Sequence, residues 1–336
     1  MSPILITVGL LLASAAVIYL ACEFFVNGVE WIGQKFDVGQ KATGTVLAAF
    51  GTALPESVVT FAAVVFGHTP AEKEIGVGAA LGGPLVLATI AYAVVGWTLF
   101  ATKRPLAATA SDRAAFAQLS RDQAWFLAIF LVKLALGLAV FAYKPWLGLA
   151  FLAAYAVYAW KETRGGGKAD EQVDLEPLKL APKRATPPAT LAVAQTLMAL
   201  IVIYLASRFF VSQINALGPA LGLRQLLALL LSPIATELPE TLNAVIWIRQ
   251  GKVRLALANI SGAMMIQATV PTAFGLLFTP WLLDRPLLIG GAVTAVSILL
   301  LLLAFRNGWI SRTLLAGMAA GYALFVGILV LAKIQS

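Results

Sequence analysis

The chain has 336 residues, 60% of them hydrophobic and only 12% charged, and its mean hydropathy is +0.88. Soluble domains carry about 25% charged residues, so this composition excludes an ordinary soluble fold and calls for a lipid surrounding. A single cysteine (Cys22) and a single histidine (His68) exclude an internal disulfide framework and a His/Cys metal centre, and the net charge of +8 is spread over short loops instead of forming a basic domain for nucleic acid.

Apolar runs able to cross or nearly cross a bilayer fall at about residues 3–28, 42–67, 75–100, 123–142, 145–160, 190–212, 222–248, 253–279, 286–305 and 312–333. The first has no Lys or Arg ahead of it and continues too long for a cleaved leader, so it is expected as a permanent span. His68, beside "TPAEKE", is expected in a loop. The fourth run carries Lys133 in "FLAIFLVKLALGL", where a lysine must pair, snorkel or lose its proton. Between the fifth and sixth runs, "KETRGGGKADEQVDLEPLKLAPKRATPPAT" is polar and rich in Gly, Pro and both charge signs, as in a flexible aqueous linker. It divides the chain into residues 1–160, a linker at 161–189, and residues 190–336. Lys and Arg favour the linker side of the membrane, for example Lys103, Arg104, Arg113 and Arg121. That bias places the linker in the cytoplasm and both termini outside.

The two halves repeat. "YLACEFFV" (Tyr19 to Val26) pairs with "YLASRFFV" (Tyr204 to Val211), and "FGTALPESVVTFAAVV" from Phe50 pairs with "IATELPETLNAVIWI" from Ile234. "LATIAYAVVGW" from Leu87 then pairs with "QATVPTAFGLL" from Gln267. Two successive halves of five spans each must lie upside-down relative to one another. The expected fold is therefore an all-α integral membrane protein of ten transmembrane helices in two inverted-topology repeats, an architecture that puts its site near the midplane.

Thr52, Pro55 and Glu56 are expected in the middle of the second span, and Thr236, Pro239 and Glu240 in the middle of the seventh. A proline lacks an N–H, so it frees the carbonyl four residues back, here those of Gly51 and Ala235. In a bilayer such a carbonyl needs a partner, and a bound cation can be one. Thr52 and Glu56 are four apart, and Glu237 and Glu240 three apart, so each pair shares a helix face. Carboxylates, hydroxyls and carbonyls together suit hard cations such as calcium, sodium or protons. A mid-span Glu is a functional candidate by default.

"GTALPE" (Gly51 to Glu56) and "ATELPE" (Ala235 to Glu240) resemble the alpha repeats of the sodium/calcium exchangers and the wider calcium/cation antiporter superfamily, whose pattern is Gly/Ala-Thr-Ser-Leu-Pro-Glu. The resemblance implies ion binding at Glu56 and Glu240, with Thr52 and Thr236 beside them. It also implies sliding of the first and sixth spans for alternating access. The family serine is replaced by Ala53 and Glu237. A second family motif, approximately Gly-Asn-x-x-Gly-Ser-Asn-x-x-Asn/Asp, is eroded. "GAALGGPLVL" (Gly78 to Leu87) has lost its polar ligands. "ANISGAMMIQ" (Ala258 to Gln267) keeps Asn259 and Gly262, with Gln267 at the acidic position. Glu237 is placed to supply the charge that Gln267 lacks.

The expected metal-binding set is therefore Glu56, Glu240, Glu237, Thr52, Thr236, Gln267 and the carbonyls of Gly51 and Ala235. The expected activity is secondary antiport of calcium or another hard cation against sodium. Proton coupling, or a non-transporting protein that kept the scaffold, stands as the alternative. No phosphate-binding loop or nucleophile–base set is evident, so no enzyme is expected. The partners expected are cations and the lipid bilayer, with no cofactor beyond the transported ions. The plasma membrane is the expected location. Glu23 and its repeat mate Arg208 are expected near membrane surfaces. Asn243 is placed to hold Glu240 or to line the path. Gly82, Gly83 and Gly262 are expected at close helix contacts, and the aromatics facing lipid and its interfaces.

Overall fold

The structure is a computed structural model, and it describes residues 3–38, 42–66, 70–107, 110–165, 175–220, 233–234 and 236–334. The described residues are helical almost throughout. Helix α1 is Pro3–Lys35, and a π-helical stretch Thr43–Ala48 leads into α2, Ala49–Phe66. Helix α3, Pro70–Val86, passes through a second π-helical stretch, Leu87–Ala91, into α4, Tyr92–Ala101. Then follow α5 (Ala110–Leu136), a short turn at Lys144–Trp146, and α6 (Leu147–Gly165). The second half holds α7 (Ala189–Ala220), α8 (Leu238–Arg249), α9 (Val253–Phe278), α10 (Arg285–Asn307), α11 (Arg312–Gly317) and α12 (Ala319–Ile334).

Among the described residues, six helical stretches are long and apolar enough to cross a membrane: Ile4–Lys35, Gly76–Ala101, Ala189–Phe210, Val253–Phe278, Arg285–Asn307 and Arg312–Leu331. The other expected spans coincide with helices that are shorter, more polar or only partly described. The seventh expected span differs in kind. Its expected range is 222–248, of which 222–232 and 235 lie outside the described residues. Residues 233, 234 and 236 are helical, a turn falls at Glu237, and α8 runs on from Leu238 with Pro239 in its first turn. The Glu237 N–H donates to Pro233 O at 3.1 Å and the Thr241 N–H to Glu237 O at 3.1 Å, so hydrogen bonding carries across the break.

Local chemistry sets the helix ends. The Leu287 N–H donates to Asp284 Oδ1 at 2.9 Å, which caps α10, and Gly308 closes that helix with φ 73°. The Leu314 N–H donates to Ser311 Oγ at 3.1 Å at the head of α11. Gly251 makes the turn between α8 and α9 with φ 85°.

Helix α9 is the axis of the packing. It touches α2, α3, α5, α6, α8 and the stretch Thr43–Ala48. Close approach is possible because a Cβ on Gly262 would collide with the backbone of Thr45. Helices α1 and α7 form an extensive pair to one side. Leu5, Leu12, Leu20, Leu197, Ile201 and Leu205 leave that pair's outer face exposed, as lipid contact requires.

The linker was expected to be flexible throughout, but part of it is pinned. Asn27 Nδ2 donates to the carbonyls of Glu176 and Pro177, and Asn27 Oδ1 accepts from the Lys179 N–H at 3.0 Å. Gln195 Oε1 accepts from the Leu180 N–H at 2.8 Å, and Trp31 Nε1 donates to Glu176 O at 3.0 Å. Leu178 is fully buried under Trp31 and Ala192. These contacts give the backbone of 176–180 hydrogen-bond partners that a free loop would find only in water.

The aromatics also divide. Trp97, Trp146 and Trp160 are exposed as expected for lipid contact, whereas Trp247, Trp281, Tyr92, Phe25, Phe126 and Phe130 are fully buried. These six fill the space between helices, where their size outweighs any interfacial preference.

Candidate functional site

Glu237 and Glu240 stand at the head of α8. Glu237 is the residue just before the helix and Glu240 lies in its first turn; their relative exposures are 0% and 1%. Buried carboxylates at a helix N-terminus gain from the N–H groups that point outward there. Gln267 reaches Glu237 from α9, and its Nε2 donates to Oε1 at 2.7 Å and to Oε2 at 2.8 Å. Gly83 of α3 closes the third side. A Cβ built on it would sit 2.6 Å from Gln267 Oε1 and 2.7 Å from Glu237 Oε1, so a larger residue would push both side chains aside. Gly82 approaches Pro233, with a built Cβ at 3.0 Å. Of the three glycines expected at helix contacts, Gly82 and Gly262 are that, and Gly83 also borders Glu237.

One turn of α1 touches both signature segments. Cys22 Sγ lies 3.8 Å from Pro239 O, and a Cβ on Gly51 would meet the Phe25 ring at 2.9 Å. Cys22 and Phe25 are three apart and share a face. Through that face, the start of α2 and the head of α8 come to the same level of the molecule.

The threonines point to their own helices. Thr52 is buried and its Oγ1 donates to Ala48 O at 3.1 Å, while Thr236 Oγ1 donates to Pro233 O at 3.0 Å. Each hydroxyl keeps its lone pairs for another donor or a cation. Asn259 Nδ2 lies 3.4 Å from Glu240 O, a weak bond at the limit of the geometry. Asn243 is fully buried one turn beyond Glu240, and neither Oδ1 nor Nδ2 has a hydrogen-bond partner among the described residues. It adds a buried polar group one turn from Glu240. The backbone of Glu56 lies within α2, while its side chain, like Ala235 and His68, lies outside the described residues.

Other polar groups follow the sequence reading. Lys133 is fully buried, and its Nζ donates to Ala80 O at 2.8 Å. Glu23 pairs with Lys179 at 3.5 Å, both about one-third exposed, and Arg208 rests against Tyr204, as surface positions would. Lys144 donates to the carbonyls of Ala139 and Trp281 in the turn before α6, and burial there lowers its pKa.

Two clusters escaped the sequence reading. Glu30 of α1 is buried and accepts from Lys252 Nζ at 2.6 and 2.5 Å and from Trp247 Nε1 at 2.8 Å, which ties α1 to the turn between α8 and α9. Gln123 Nε2 donates to Tyr92 OH at 2.7 Å and to Ser261 Oγ at 2.9 Å, joining α5, α4 and α9. Glu30 could have been noticed as an acidic residue inside an otherwise apolar helix. Nothing in spacing links Tyr92, Gln123 and Ser261, which only the packing unites.

A comparison with known families matches the sodium/calcium exchanger protein family over residues 6–162 and 191–331, both halves on either side of the linker. An uncharacterized membrane protein of Methanocaldococcus jannaschii is 22% identical over 277 residues, covering 82% of this chain and 83% of that protein. Among solved structures, the sodium-calcium exchanger NCX_Mj soaked with 10 mM Na+ and zero Ca2+ superposes with a TM-score of 0.74 at 20% identity, covering 96% of this chain and 99% of that one. The same exchanger soaked with zero Na+ and Ca2+ gives 0.74 at 21% identity over 97% and 99%. These likenesses show a shared fold, and the family match spans most of the sequence. The chain belongs to the sodium/calcium exchanger protein family and is a multi-pass integral membrane protein of the cation-exchanger class.

Proposed function

We propose that this protein is a secondary active antiporter that exchanges calcium, or another hard divalent cation, against sodium by alternating access. The observation that carries the reading is the pair of fully buried carboxylates, Glu237 and Glu240, at the head of α8, beside the wholly buried Asn243. Carboxylates at such depth are retained where a cation visits them. In this reading Glu56 and Glu240 are the principal ligands, supported by Glu237, Thr52, Thr236, Gln267 and the carbonyls of Gly51 and Ala235. The ten helices form two inverted five-helix repeats, residues 1–160 and 190–336. The protein sits in the plasma membrane with both termini outside and the linker at 161–189 in the cytoplasm.

The α1–α7 pair is the moving element. It lies beside both signature segments through Cys22 and Phe25. Its outer face is exposed to lipid, so sliding would disturb little packing. NCX_Mj is described as a sodium-calcium exchanger, which agrees with the proposed cargo. The test is calcium uptake into vesicles under an opposing sodium gradient. Uptake in wild type that is lost in Glu240→Gln supports the reading, and unchanged uptake in Glu56→Gln and Glu240→Gln together sinks it.

Proton coupling is the second reading, and the eroded motif on α3 favours it, since sodium ligands are missing there. Calcium uptake driven by a pH gradient in sodium-free vesicles would select it over sodium exchange.

A further inference from the structure

Pro84 lies inside α3. It has no N–H, so the Ala80 carbonyl four residues back loses its helical partner. Within a bilayer that carbonyl must be satisfied by something else. Lys133 Nζ of α5 does so at 2.8 Å, while resting 4.9 Å from the centre of the Phe130 ring. Three residues beyond Ala80, less than one helical turn, Gly83 presses on Glu237 and Gln267. The lysine head therefore meets α3 within one turn of the glycine that borders the acidic pair. It also lies on the helix whose own motif, "GAALGGPLVL", has no polar side chain to offer an ion.

We infer that Lys133 is a built-in cation: its ammonium, held on Ala80 O, takes the place of one transported monovalent ion on the α3 side of the site. The inference rests on the exchange proposed at Glu56 and Glu240. A proline-freed carbonyl accepts an ammonium or a sodium ion equally well, because each presents positive charge to the same lone pairs. The charges also match. Glu237 is a carboxylate with no counterpart in the first half, where Ala53 stands, and Lys133 is a cation with no counterpart in the second. A tethered charge never leaves, so each cycle carries one monovalent ion fewer than it would with that position open.

The experiment is equilibrium binding of radioactive sodium to the purified full chain, with calcium binding measured in parallel. Lys133→Met and Lys133→Gln are expected to bind one more sodium ion per protein than wild type, and the Hill coefficient for sodium should rise accordingly. Lys133→Arg should keep the wild-type sodium count. The Gln variant separates charge from structure, because its neutral amide keeps a polar side chain there and its oxygen can itself ligate a sodium ion beside Ala80 O. A wild-type sodium count in Lys133→Gln overturns the inference, and that variant carries the test where Lys133→Met does not fold. Glu240→Gln separates the two levels of the argument. If it abolishes calcium binding while the Lys133 variants leave the sodium count unchanged, only the built-in cation fails. If wild type binds neither ion, the exchange itself fails.

Discussion

The two Leu-Pro-Glu segments are almost the same string set in different backbones. Around Pro55 the helix Ala49–Phe66 runs unbroken, and the irregularity lies upstream in the π-helical stretch Thr43–Ala48. Around Pro239 the helix is interrupted by a turn at Glu237 and resumes at Leu238, so the proline and Glu240 sit in the first turn after the break. The partner helices differ as well. Helix α9 presents Gln267 to Glu237 and Asn259 to the Glu240 carbonyl. Helix α3 presents bare glycines and a freed carbonyl, and takes its polar contact from Lys133 of α5. Two like strings thus lie in unlike surroundings, with the described side-chain chemistry concentrated around the second.

The largest test of that asymmetry is Glu240→Gln. Sodium-driven calcium uptake should fall by about 100-fold, equivalent to about 2.7 kcal/mol, because the carboxylate is buried where no water can replace it. Glu237→Gln should cost less, about tenfold, since Gln267 can still donate to the new amide oxygen. Equal losses in the two variants would show that the residue without a repeat mate is as central as the one with it.

Next comes the contact that only the second half possesses. Gln267→Leu removes two donors from the Glu237 carboxylate, and hydrogen bonds to charged groups contribute about 1.5–3 kcal/mol. Thermal unfolding in detergent should register a loss of about 2 kcal/mol. Asn259→Leu removes a bond of 3.4 Å and should register less than about 1 kcal/mol.

The first half is probed through its glycines. Gly83→Ala would drive a methyl group into Gln267 and Glu237, and the apparent affinity for calcium should drop about tenfold. Gly78→Ala, five residues earlier on α3, meets nothing within 4 Å and should leave affinity unchanged. If both changes act alike, the effect belongs to α3 as a whole, and the close approach of Gly83 to the acidic pair would lose its significance.

Much of this was legible before any coordinates. Apolar run lengths gave the helices, because a bilayer imposes one length scale on every span. Glu240 stood out because carboxylates are rare within apolar runs, and it is buried; Glu56 stood out by the same reasoning, and its side chain lies outside the described residues. What could not be read was the backbone around the prolines. The strings "TALPE" and "TELPE" carry no signal that one runs unbroken and the other is broken at Glu237. Long-range pairings were also hidden: Lys133 to Ala80 and Glu30 to Lys252 join residues far apart in sequence, and periodicity reports only on neighbours. The linker misled for the same reason. Its composition favours solvent, but Asn27 and Gln195, buried in α1 and α7, offer its backbone the partners that water would have given.

That docking supplies the smallest test, and it concerns the proposed moving pair directly. Residues 176–180 bridge α1 and α7, since Asn27 and Gln195 also bond each other at 2.9 Å. A strap across both helices makes them move together, which a sliding pair needs. Asn27→Ala removes the acceptor for Lys179 N and the donors to Glu176 and Pro177, with a cost of about 1 kcal/mol after solvent takes over the exposed groups. Trypsin should then cut at Lys179 and Lys183 about fivefold faster than in wild type, as the undocked population rises. Calcium uptake in the same variant sharpens the point: slower exchange with unchanged calcium affinity would assign the strap to the motion, whereas a change in affinity alone would assign it to the site.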